Sequence, residues 1–552
     1  MADTFDYVVI GAGSAGCVLA GRLSEDGRHQ VCVLEAGGSD ASALVQCPAG
    51  IAGMGRNRRL NWAISTVPQA GLQGRVGYQP RGKVVGGCSS VNAMIYLRGQ
   101  PQDYDDWAAI GNPGWSWEEV KPWFLKAQHQ ERGADAFHAQ GGPLIVADLQ
   151  QPNPLSLDFV EAAVQAGHLR NPDFNGASQE GAGLYQVTQK AGERCSAAKA
   201  YLTPHLHRRN LQLRTGAQVL RILMTATEQG LRATGVEYLC AGVRHTVYAR
   251  REVLLSAGAL LSPHILMLSG IGPAAHLQSV GVQVVHALPG VGSHLQDHLD
   301  ATLVFDAPGL TQSFGLSATG VARMAKGVWQ WHARRTGILT TNFAEAGAFL
   351  RSSPEAVRPD LQLHFVIGKL ADHGRKTLWG HGFSCHVCVL RPQSRGTVRL
   401  RSGDPLALPA VDPNFLAVPQ DLHDTVRGVQ IVRRIMEQPA MAVHGARELP
   451  ASAAAQTPEA VAQWIRNHAD TIYHPVGTCR MGPGPMDVVD SQLRVHGVLG
   501  LRVVDASIFP RLISGNTNAP TIMVAEKAAH AVLQAAQATP QPPVSSALMS
   551  CA

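Results

Sequence analysis

A single histidine near the end of the chain has the chemistry and the surroundings of a proton acceptor. His474 lies between Tyr473 and Pro475 in the run YHPVGTCRMG at 473–482. An imidazole has an ordinary pKa of about 6.5, so it can take up or release a proton near neutral pH. The alternative interpretation is a buried turn histidine without a chemical role, and other parts of the sequence must decide between the two.

Three glycines near the N-terminus follow the spacing of a phosphate-binding turn. Gly11, Gly13 and Gly16 form G-x-G-x-x-G between a predicted strand and a predicted helix. The first glycine allows a tight turn, the second lets the backbone approach a pyrophosphate, and the third lets helix pack on strand. Glu35 ends the next predicted strand, 19 residues after Gly16, where it can hydrogen-bond a ribose hydroxyl. The single fingerprint predicts one dinucleotide cofactor.

The elements that must position these residues indicate two kinds of sheet. Buried strands are predicted at 211–222, 251–259 and 500–508, and an alanine-rich helix at 521–535. Alternating strands between 301 and 470, such as those at 361–367 and 394–400, favour a mostly antiparallel sheet with helices on one side. The predicted fold class is α/β (α+β overall), with a Rossmann-like unit and a second unit for substrate.

The same pattern predicts a discontinuous first domain. We expect a dinucleotide-binding part at 1–300 with substrate-side insertions around 105–200, a substrate-binding domain at 301–470, a return to the first domain at 471–537, and a disordered tail at 538–552.

Charge and hydropathy exclude several classes of protein. The chain has 47 basic and 41 acidic residues, a net charge of +6, and no stripe of alternating basic and aromatic residues, so no nucleic-acid partner is expected. It has neither a recognisable leader nor a run of about 18 apolar residues. We therefore expect a cytoplasmic protein, with peripheral contact to the inner membrane left open.

Cysteine and histidine groups do not predict a metal site. Of the ten cysteines, Cys17, Cys32, Cys240 and Cys385 lie in apolar patterns, and we interpret the cysteines as reduced thiols. The run CHVC at 385–388 could bind zinc, but a second pair is missing and the segment alternates like a strand. His294 and His298 flank Asp297 at helical spacing, yet no third ligand follows. No metal is expected.

Several glycine-rich motifs agree in order and spacing with one known family. Besides GAGSAG and YHPVGTCRMG they are RGKVVGGCSSVNAMIYLRG, GALLSPHILMLSGIG, LPGVGSHLQDH and GNTNAPTIMVAEKAA. From about residue 5 to 535 the sequence resembles the glucose-methanol-choline (GMC) family of FAD-dependent oxidoreductases. Within that family it most resembles bacterial alcohol dehydrogenases of aliphatic primary alcohols, and choline and sorbose dehydrogenases are close.

The resemblance implies which residues bind FAD. The matching positions are Gly11, Gly13, Ser14, Ala15 and Gly16 at the pyrophosphate, Glu35 at the adenosine ribose with Ala36 beside it, Trp62, Val85, Gly87, Asn92, Ala93 and Met94 along the flavin, Val219 at the adenine, and Asp505 and Ala506 near the ribityl chain. Val91 replaces a histidine that bonds covalently to flavin in some relatives. Non-covalent FAD is therefore expected.

The resemblance also assigns catalytic residues. Oxidising an alcohol requires loss of a hydroxyl proton and of a hydride from the same carbinol group, so a base beside the flavin is needed. His474 matches the family's active-site histidine, and Asn518 matches a partner position expected to donate to the substrate oxygen. Glu345 matches a glutamate near the substrate cation of choline-oxidising relatives, although it could equally be structural.

The expected function is FAD-dependent oxidation of a primary aliphatic or aryl alcohol to the aldehyde, with hydride transfer to flavin N5. The expected partners are a small alcohol and a quinone or other electron acceptor. Alternatives are a choline or sorbose dehydrogenase, an oxygen-using alcohol oxidase, a cyanohydrin lyase, and a flavin-binding protein without turnover. The sequence leaves the alcohol, the acceptor and the oligomeric state open.

Overall fold

The computed structural model describes residues 3–538, apart from the side chain of His373. The predicted disordered tail lies outside the described residues from position 539 onward. Over the described part of the chain, no helix combines the length and the apolar character that a bilayer span requires.

A seven-stranded sheet forms the unit that carries the glycine turn. Six of its strands pair side by side in the order 211–214, 31–34, 4–10, 243–255, 230–240 and 218–227. The seventh strand, at 501–503, pairs in parallel with the strand at 243–255. The strands are Thr4–Ile10, Val31–Leu34, Leu211–Arg214, Gln218–Thr227, Gly230–Cys240, Val243–Leu255 and Leu501–Val503. The last strand comes from late in the chain, so segments 4–10 and 501–503 belong to the same sheet.

The predicted βαβ unit is present at the start of this sheet. Thr4–Ile10 and Val31–Leu34 pair in parallel, and the helix Ser14–Leu23 connects them. The single strand predicted at 211–222 is wrong in one respect: it is two strands, because Gly216 adopts a left-handed φ of 65° and turns the chain between them. A left-handed residue of this kind ends strand geometry.

A second seven-stranded sheet is entirely antiparallel, as the alternating pattern predicted. Six of its strands pair side by side in the order 447–448, 299–306, 382–389, 361–366, 344–350 and 181–184. The seventh strand, at 470–471, pairs with residues 299–300. The strands are Gly181–Leu184, Leu299–Asp306, Ala344–Leu350, Leu361–Val366, Gly382–Val389, Arg447–Glu448 and Asp470–Thr471. Gly181–Leu184 comes from the segment predicted as a substrate-side insertion.

Alternation decides which side chains of the second sheet enter the core. Leu363, Phe365 and Cys385 belong to a buried apolar cluster that also contains residues of the helices Pro154–Gln165 and Pro419–Met436. Successive side chains of a strand point to opposite faces, so the residues between them face the other way. The polar face of this sheet is thereby turned towards the glycine-turn unit.

The remaining strands form smaller sheets. One prediction is corrected here: the strand at 394–400 is shorter and joins a separate four-stranded sheet, because its neighbour is the strand at 410–412, which pairs with 64–69. These strands are Ile64–Gln69, Arg75–Gln79, Thr397–Arg399, Ala410–Asp412, and the two-stranded pairs Gln128–Gln130 with Leu144–Val146, Gln189–Lys190 with Glu193–Arg194, and Ile271–Gly272 with His286–Ala287.

The α-helices pack around these sheets. The helix predicted at 521–535 is longer, Asn518–Ala538, and it contacts the first helix after the glycine turn. The others are Ala43–Gln46, Ile51–Met54, Pro101–Ala109, Trp117–Ala127, Ser262–Leu268, Ala274–Ser279, Ala318–Arg334, Pro439–Ala442, Pro450–Ala453 and Pro458–His468. All nine cysteines of the described residues are free thiols.

Candidate active site

A cleft of about 850 Å³ lies between the glycine turn and the polar face of the second sheet. One wall contains Gly13 and Glu35, and the opposite wall contains Asp300, His364 and His386. The ends of the parallel strands therefore form one wall of the cleft, and the polar face of the antiparallel sheet forms the other wall. A crevice at the carboxyl ends of parallel strands is where doubly wound sheets bind ligands.

The glycine turn leaves no room for side chains at the positions that the sequence marked. Gly11 has a φ of 92°, and a Cβ atom there would lie 2.7 Å from the carbonyl oxygen of Ser256. A Cβ atom on Gly16 would lie 1.9 Å from the carbonyl oxygen of Gly11. By contrast, a Cβ atom on Gly13 would meet only the Ser256 oxygen, at 3.9 Å. Gly13 therefore borders open cleft space rather than the protein.

Glu35 is held at the edge of this turn by two backbone amides. Its carboxylate accepts hydrogen bonds from the N–H of Ala12 at 2.9 Å and of Gly37 at 2.7 Å. Burial raises the pKa of Glu35 to about 7, and these two hydrogen bonds oppose that shift. The carboxyl group lines the cleft one strand away from the glycines, where a ribose hydroxyl could reach it.

Nearly all of the residues that the family resemblance marked line this one cleft. They are Gly11, Gly13, Ser14, Ala15, Glu35, Ala36, Trp62, Gly87, Asn92, Ala93, Met94, Val219, Asp505, Ala506, His474 and Asn518. Gly16 and Val85 are not among the lining residues. Gly16 packs the helix against Gly11, and Val85 is buried with its N–H bonded to Gly38.

The backbone around His474 is fixed by one buried carboxylate. Asp297 accepts hydrogen bonds from the N–H of His474 at 2.9 Å and from the hydroxyl of Thr471 at 2.5 Å. Thr471 in turn accepts from the N–H of Tyr473, whose φ of 79° is unusual for a residue with a side chain. A left-handed aromatic residue costs about 1–3 kcal/mol, so the surrounding contacts must hold it there. Asp297 thus aims His474 into the cleft.

A chain of hydrogen bonds determines which ring nitrogen of His474 carries the proton. His298 Nε2 lies 3.0 Å from the carbonyl oxygen of Leu390, which can only accept, so this nitrogen carries a hydrogen. In the neutral ring, His298 Nδ1 is then an acceptor, and it lies 3.0 Å from His474 Nδ1. His474 Nδ1 must therefore donate. The remaining nitrogen, His474 Nε2, carries no hydrogen, so its lone pair is an acceptor.

The amide next to that lone pair belongs to Asn516 and not to Asn518. Asn516 Nδ2 lies 3.0 Å from His474 Nε2, and Asn516 Oδ1 accepts from Gln362 at 3.0 Å. Asn518 instead accepts a hydrogen bond from the Ser14 hydroxyl at 2.8 Å. The amide partner of His474 is therefore Asn516, two positions before the predicted Asn518 in the same GNTNAP motif. Asn518 begins the final helix, whereas Asn516 precedes it in the loop that reaches the cleft.

Burial keeps the histidines of this region neutral. The pKa of His474 lies well below its ordinary value, first because of desolvation and then because of nearby His298 and His364. Burial also lowers the pKa of His298 to about 4 and that of His364 to about 3. A neutral imidazole whose Nε2 carries no hydrogen can accept a proton, so His474 is in the form that a base requires.

Glu345 lies outside the cleft, which corrects its tentative assignment as a pocket residue. Its carboxylate accepts from the Thr341 hydroxyl at 2.6 Å, the Ser156 hydroxyl at 2.9 Å and the N–H of Asn153 at 2.7 Å. These partners tie the strand Ala344–Leu350 to the start of the helix Pro154–Gln165. A glutamate with three such donors in the core has a structural role.

Residues of the polar face that the sequence did not single out also line the cleft. Asp300 Oδ2 lies 2.6 Å from His386 Nδ1, whereas Asp300 Oδ1 and His386 Nε2 have no hydrogen-bond partner among the described residues. His364 lines the same wall of the cleft. The signal for these residues was the strand alternation itself, in LDATLVFD, LQLHFV and GFSCHVCV.

Comparison with known proteins identifies the class. The family model "GMC oxidoreductase" matches residues 5–300 in its N-terminal part and 392–525 in its C-terminal part. The chain therefore belongs to the GMC oxidoreductase family, which confirms the predicted family and the prediction of an oxidoreductase. GMC oxidoreductases are FAD-dependent. The residues present fit that cofactor, since Gly13 and Gly87 border the cleft beside the first helix, whose free N–H groups suit a pyrophosphate.

Curated relatives and solved structures agree over almost the whole chain. The sequence is 46% identical to "Alcohol dehydrogenase [acceptor]" of Pseudomonas putida, covering 96% of each chain. It is 44% identical to "Choline dehydrogenase, mitochondrial" of Homo sapiens, covering 96% of this chain and 89% of the relative. The structure of pyridoxine 4-oxidase from Mesorbium loti is similar with a TM-score of 0.84 at 30% identity, covering 95% of this chain and 98% of the other. The predicted fold class is confirmed.

Proposed function

We propose that this protein oxidises a primary aliphatic or aryl alcohol to its aldehyde, with His474 as the base. The observation that carries the proposal is the lone pair of His474 Nε2, which lies in the cleft 3.0 Å from an amide donor, Asn516 Nδ2. The relative named as an alcohol dehydrogenase with an unspecified acceptor supports it. By the same analogy, electrons pass on to a quinone-type acceptor.

The two side chains act as a matched pair on one hydroxyl group. An alcohol entering between them donates its O–H to His474 Nε2 and accepts from Asn516 Nδ2, replacing the bond that the two residues make with each other. As the proton moves to Nε2, His474 becomes an imidazolium whose Nδ1–H still points at the lone pair of His298. The hydrogen bond that His474 donates to His298 becomes stronger as positive charge develops on His474, and this favours proton transfer.

The FAD-binding part of the proposal concerns residues of the same cleft. FAD, when bound along Trp62, Asn92 and Met94, supplies an acceptor at flavin N5 for the hydride of the carbinol carbon. Val91 lines the cleft and has no nucleophilic atom, so the cofactor is bound without a covalent bond to this residue. Acid denaturation of the holoenzyme should release all of the flavin into the supernatant, and flavin retained on the precipitated chain would contradict this assignment.

Anaerobic reduction by a panel of alcohols tests the function directly. The holoenzyme is mixed with hexanol, benzyl alcohol, choline or sorbose without oxygen, and loss of the oxidised flavin absorption is followed. The aliphatic alcohol should reduce the flavin, and the His474→Ala variant should retain FAD but react about 10²–10⁴-fold more slowly. An exposed histidine outside the cleft provides the control, since His332→Ala should react normally. Equal rates for parent and His474→Ala would refute the role of the base.

Choline oxidation is the second candidate, favoured by one unpaired carboxylate oxygen. Asp300 Oδ1 is buried in the cleft wall without a partner among the described residues, and an unpaired carboxylate attracts a quaternary ammonium. The relative named choline dehydrogenase fits this alternative. If choline is the substrate, Asp300→Asn should raise its KM about tenfold or more without affecting hexanol, because one charge is lost.

A further inference from the structure

The helix Ala318–Arg334 turns an apolar face to solvent. Val321, Val328 and Trp329 are 62%, 53% and 59% exposed, and Met324 is 37% exposed. Their spacing places them on one side of the helix. The adjacent side of the helix holds it to the protein: Gly327 and Trp331 are buried, and the Trp331 N–H donates to the carbonyl of Gly192 at 2.8 Å.

Two further exposed apolar side chains extend this face. Leu316 is 43% exposed just before the helix, and its backbone pairs with that of Gly380, with N···O distances of 3.2 Å in both directions. Trp379, the neighbour of Gly380, is 76% exposed. We call these side chains the apolar patch: Leu316, Val321, Met324, Val328, Trp329 and Trp379. Exposed apolar residues that cluster in this way mark an interaction surface.

The charged side chains of the helix Ala318–Arg334 are of one sign. The helix contains no Asp or Glu, and it carries Arg323, Lys326 and Arg334. Lys326 and Arg334 have no acidic partner among residues 3–538, and the Arg334 guanidinium lies 5.5 Å from the centre of the Trp329 ring. An apolar face with tryptophan and unpaired basic residues is the composition of helices that lie in the interface of anionic membranes.

The apolar patch also borders the cleft entrance. Leu316 and Met324 line the cleft together with Lys376 and Leu378 from the loop after the strand at 361–366. A bilayer placed against the apolar patch would therefore lie beside the opening through which ligands reach His474. A hydrophobic alcohol or acceptor dissolved in the bilayer could enter without crossing water.

We propose that the apolar patch and its basic residues dock this protein onto a bilayer surface rich in anionic lipid. Charge complementarity selects this occupant over a second copy of the chain, since two such faces would bring Lys326 and Arg334 against like charges. Trp329 and Trp379 suit the interface because an indole ring combines an apolar body with a polar N–H group. The docking itself requires no catalytic turnover, so it stands or fails independently of the proposed function.

Vesicle flotation of the full-length holoenzyme tests the proposal. The protein should float with phosphatidylcholine vesicles that contain phosphatidylglycerol, and less with phosphatidylcholine alone or at high salt. Val328→Glu/Trp329→Glu should lower the bound fraction at least about tenfold, because two charges replace apolar contact with lipid. Lys326→Glu/Arg334→Glu should weaken binding to the anionic vesicles and leave the weak binding to phosphatidylcholine unchanged.

A matched pair of substitutions separates docking from general surface effects. Val357 and Val443 are 93% and 78% exposed and lie outside the apolar patch, so Val357→Glu/Val443→Glu should float like the parent. All variants should retain FAD and reduce with alcohol at the parent's rate in vesicle-free buffer. Equal flotation of parent and Val328→Glu/Trp329→Glu, or no flotation of the parent, overturns the proposal. A parent dimer that this variant converts to monomers, without vesicle binding, would identify a second copy as the occupant instead.

Discussion

The glycine turn at 11–16 lies on one wall of the cleft, and His364, His386 and His474 lie on the other, with His298 buried behind His474. We call these four histidines the histidine cluster, and it is built differently from the turn. In the turn, neighbouring residues each satisfy a local backbone requirement, such as the φ of 92° at Gly11. In the cluster, the bonded pair His298 and His474 is separated by 176 residues. Local geometry can be recognised from consecutive letters, whereas a cluster assembled from two strands and a late loop depends on how the sheet pairs.

The largest expected effect is a loss of stability caused by a substitution in the glycine turn. Gly16→Ala would place a methyl group 1.9 Å from a backbone carbonyl, which cannot move aside as a side chain could. We expect a loss of at least about 3 kcal/mol in the free energy of unfolding, with loss of bound FAD. Urea unfolding followed by fluorescence measures this. Gly309→Ala, which would meet no atom within 4 Å, should unfold as the parent does.

The next effect concerns the second wall and its proton chain. His298→Leu removes the acceptor that fixes the tautomer of His474, so alcohol reduction of the flavin should slow by about 10²-fold. The deficit should shrink at high pH, where hydroxide can take the alcohol proton in place of His474, a recovery that simple misfolding would not produce. His386→Asn, in the same cluster but not bonded to His474, serves as the control. A rate unchanged in His298→Leu would exclude the tautomer chain.

A smaller effect is expected at Gly13, where a substitution should weaken FAD binding without unfolding the protein. Gly13→Ala meets no protein atom closer than 3.9 Å, so the fold should persist. Its methyl group would instead occupy the space expected for the pyrophosphate, and the dissociation constant of FAD should rise about tenfold or more. Titration of the apoprotein with FAD measures it. Parent-like affinity would show that the cofactor binds elsewhere in the cleft.

The smallest effect lies in acid stability. Buried histidines with lowered pKa bind fewer protons folded than unfolded, so the histidine-dependent part of stability is complete above about pH 6.5 and falls as pH decreases. His298 and His364, with pKa values of about 4 and 3, should each contribute a slope of about 1.4 kcal/mol per pH unit below pH 6. His364→Phe should reduce this acid sensitivity in denaturant unfolding measured from pH 7 to 5. An unchanged slope would mean that His364 titrates normally.

The sequence supported some residues of the site better than others. His474, Gly11 and Gly13 stand in motifs whose local geometry constrains them, and the structure places them at the cleft. Asn518 and Glu345 were selected from motifs of the right kind, but the helix start at Asn518 and the hydrogen bonds of Glu345 give them other partners. Sequence analysis did not select Asp300 and His386. Alternation shows that a strand has one apolar and one polar face, but it does not show which residues the polar face lies against.

The sequence by itself determined the family, the α/β class, the first βαβ unit and the histidine able to act as a base, because each depends on local backbone geometry or on motifs of adjacent residues. Only the tertiary structure decided that Asn516 is the amide beside His474, that His298 orients its proton, and that an apolar helix face borders the cleft. These facts depend on distances between residues far apart in the chain. Strand pairing and helix packing set those distances, and no short stretch of sequence encodes them alone.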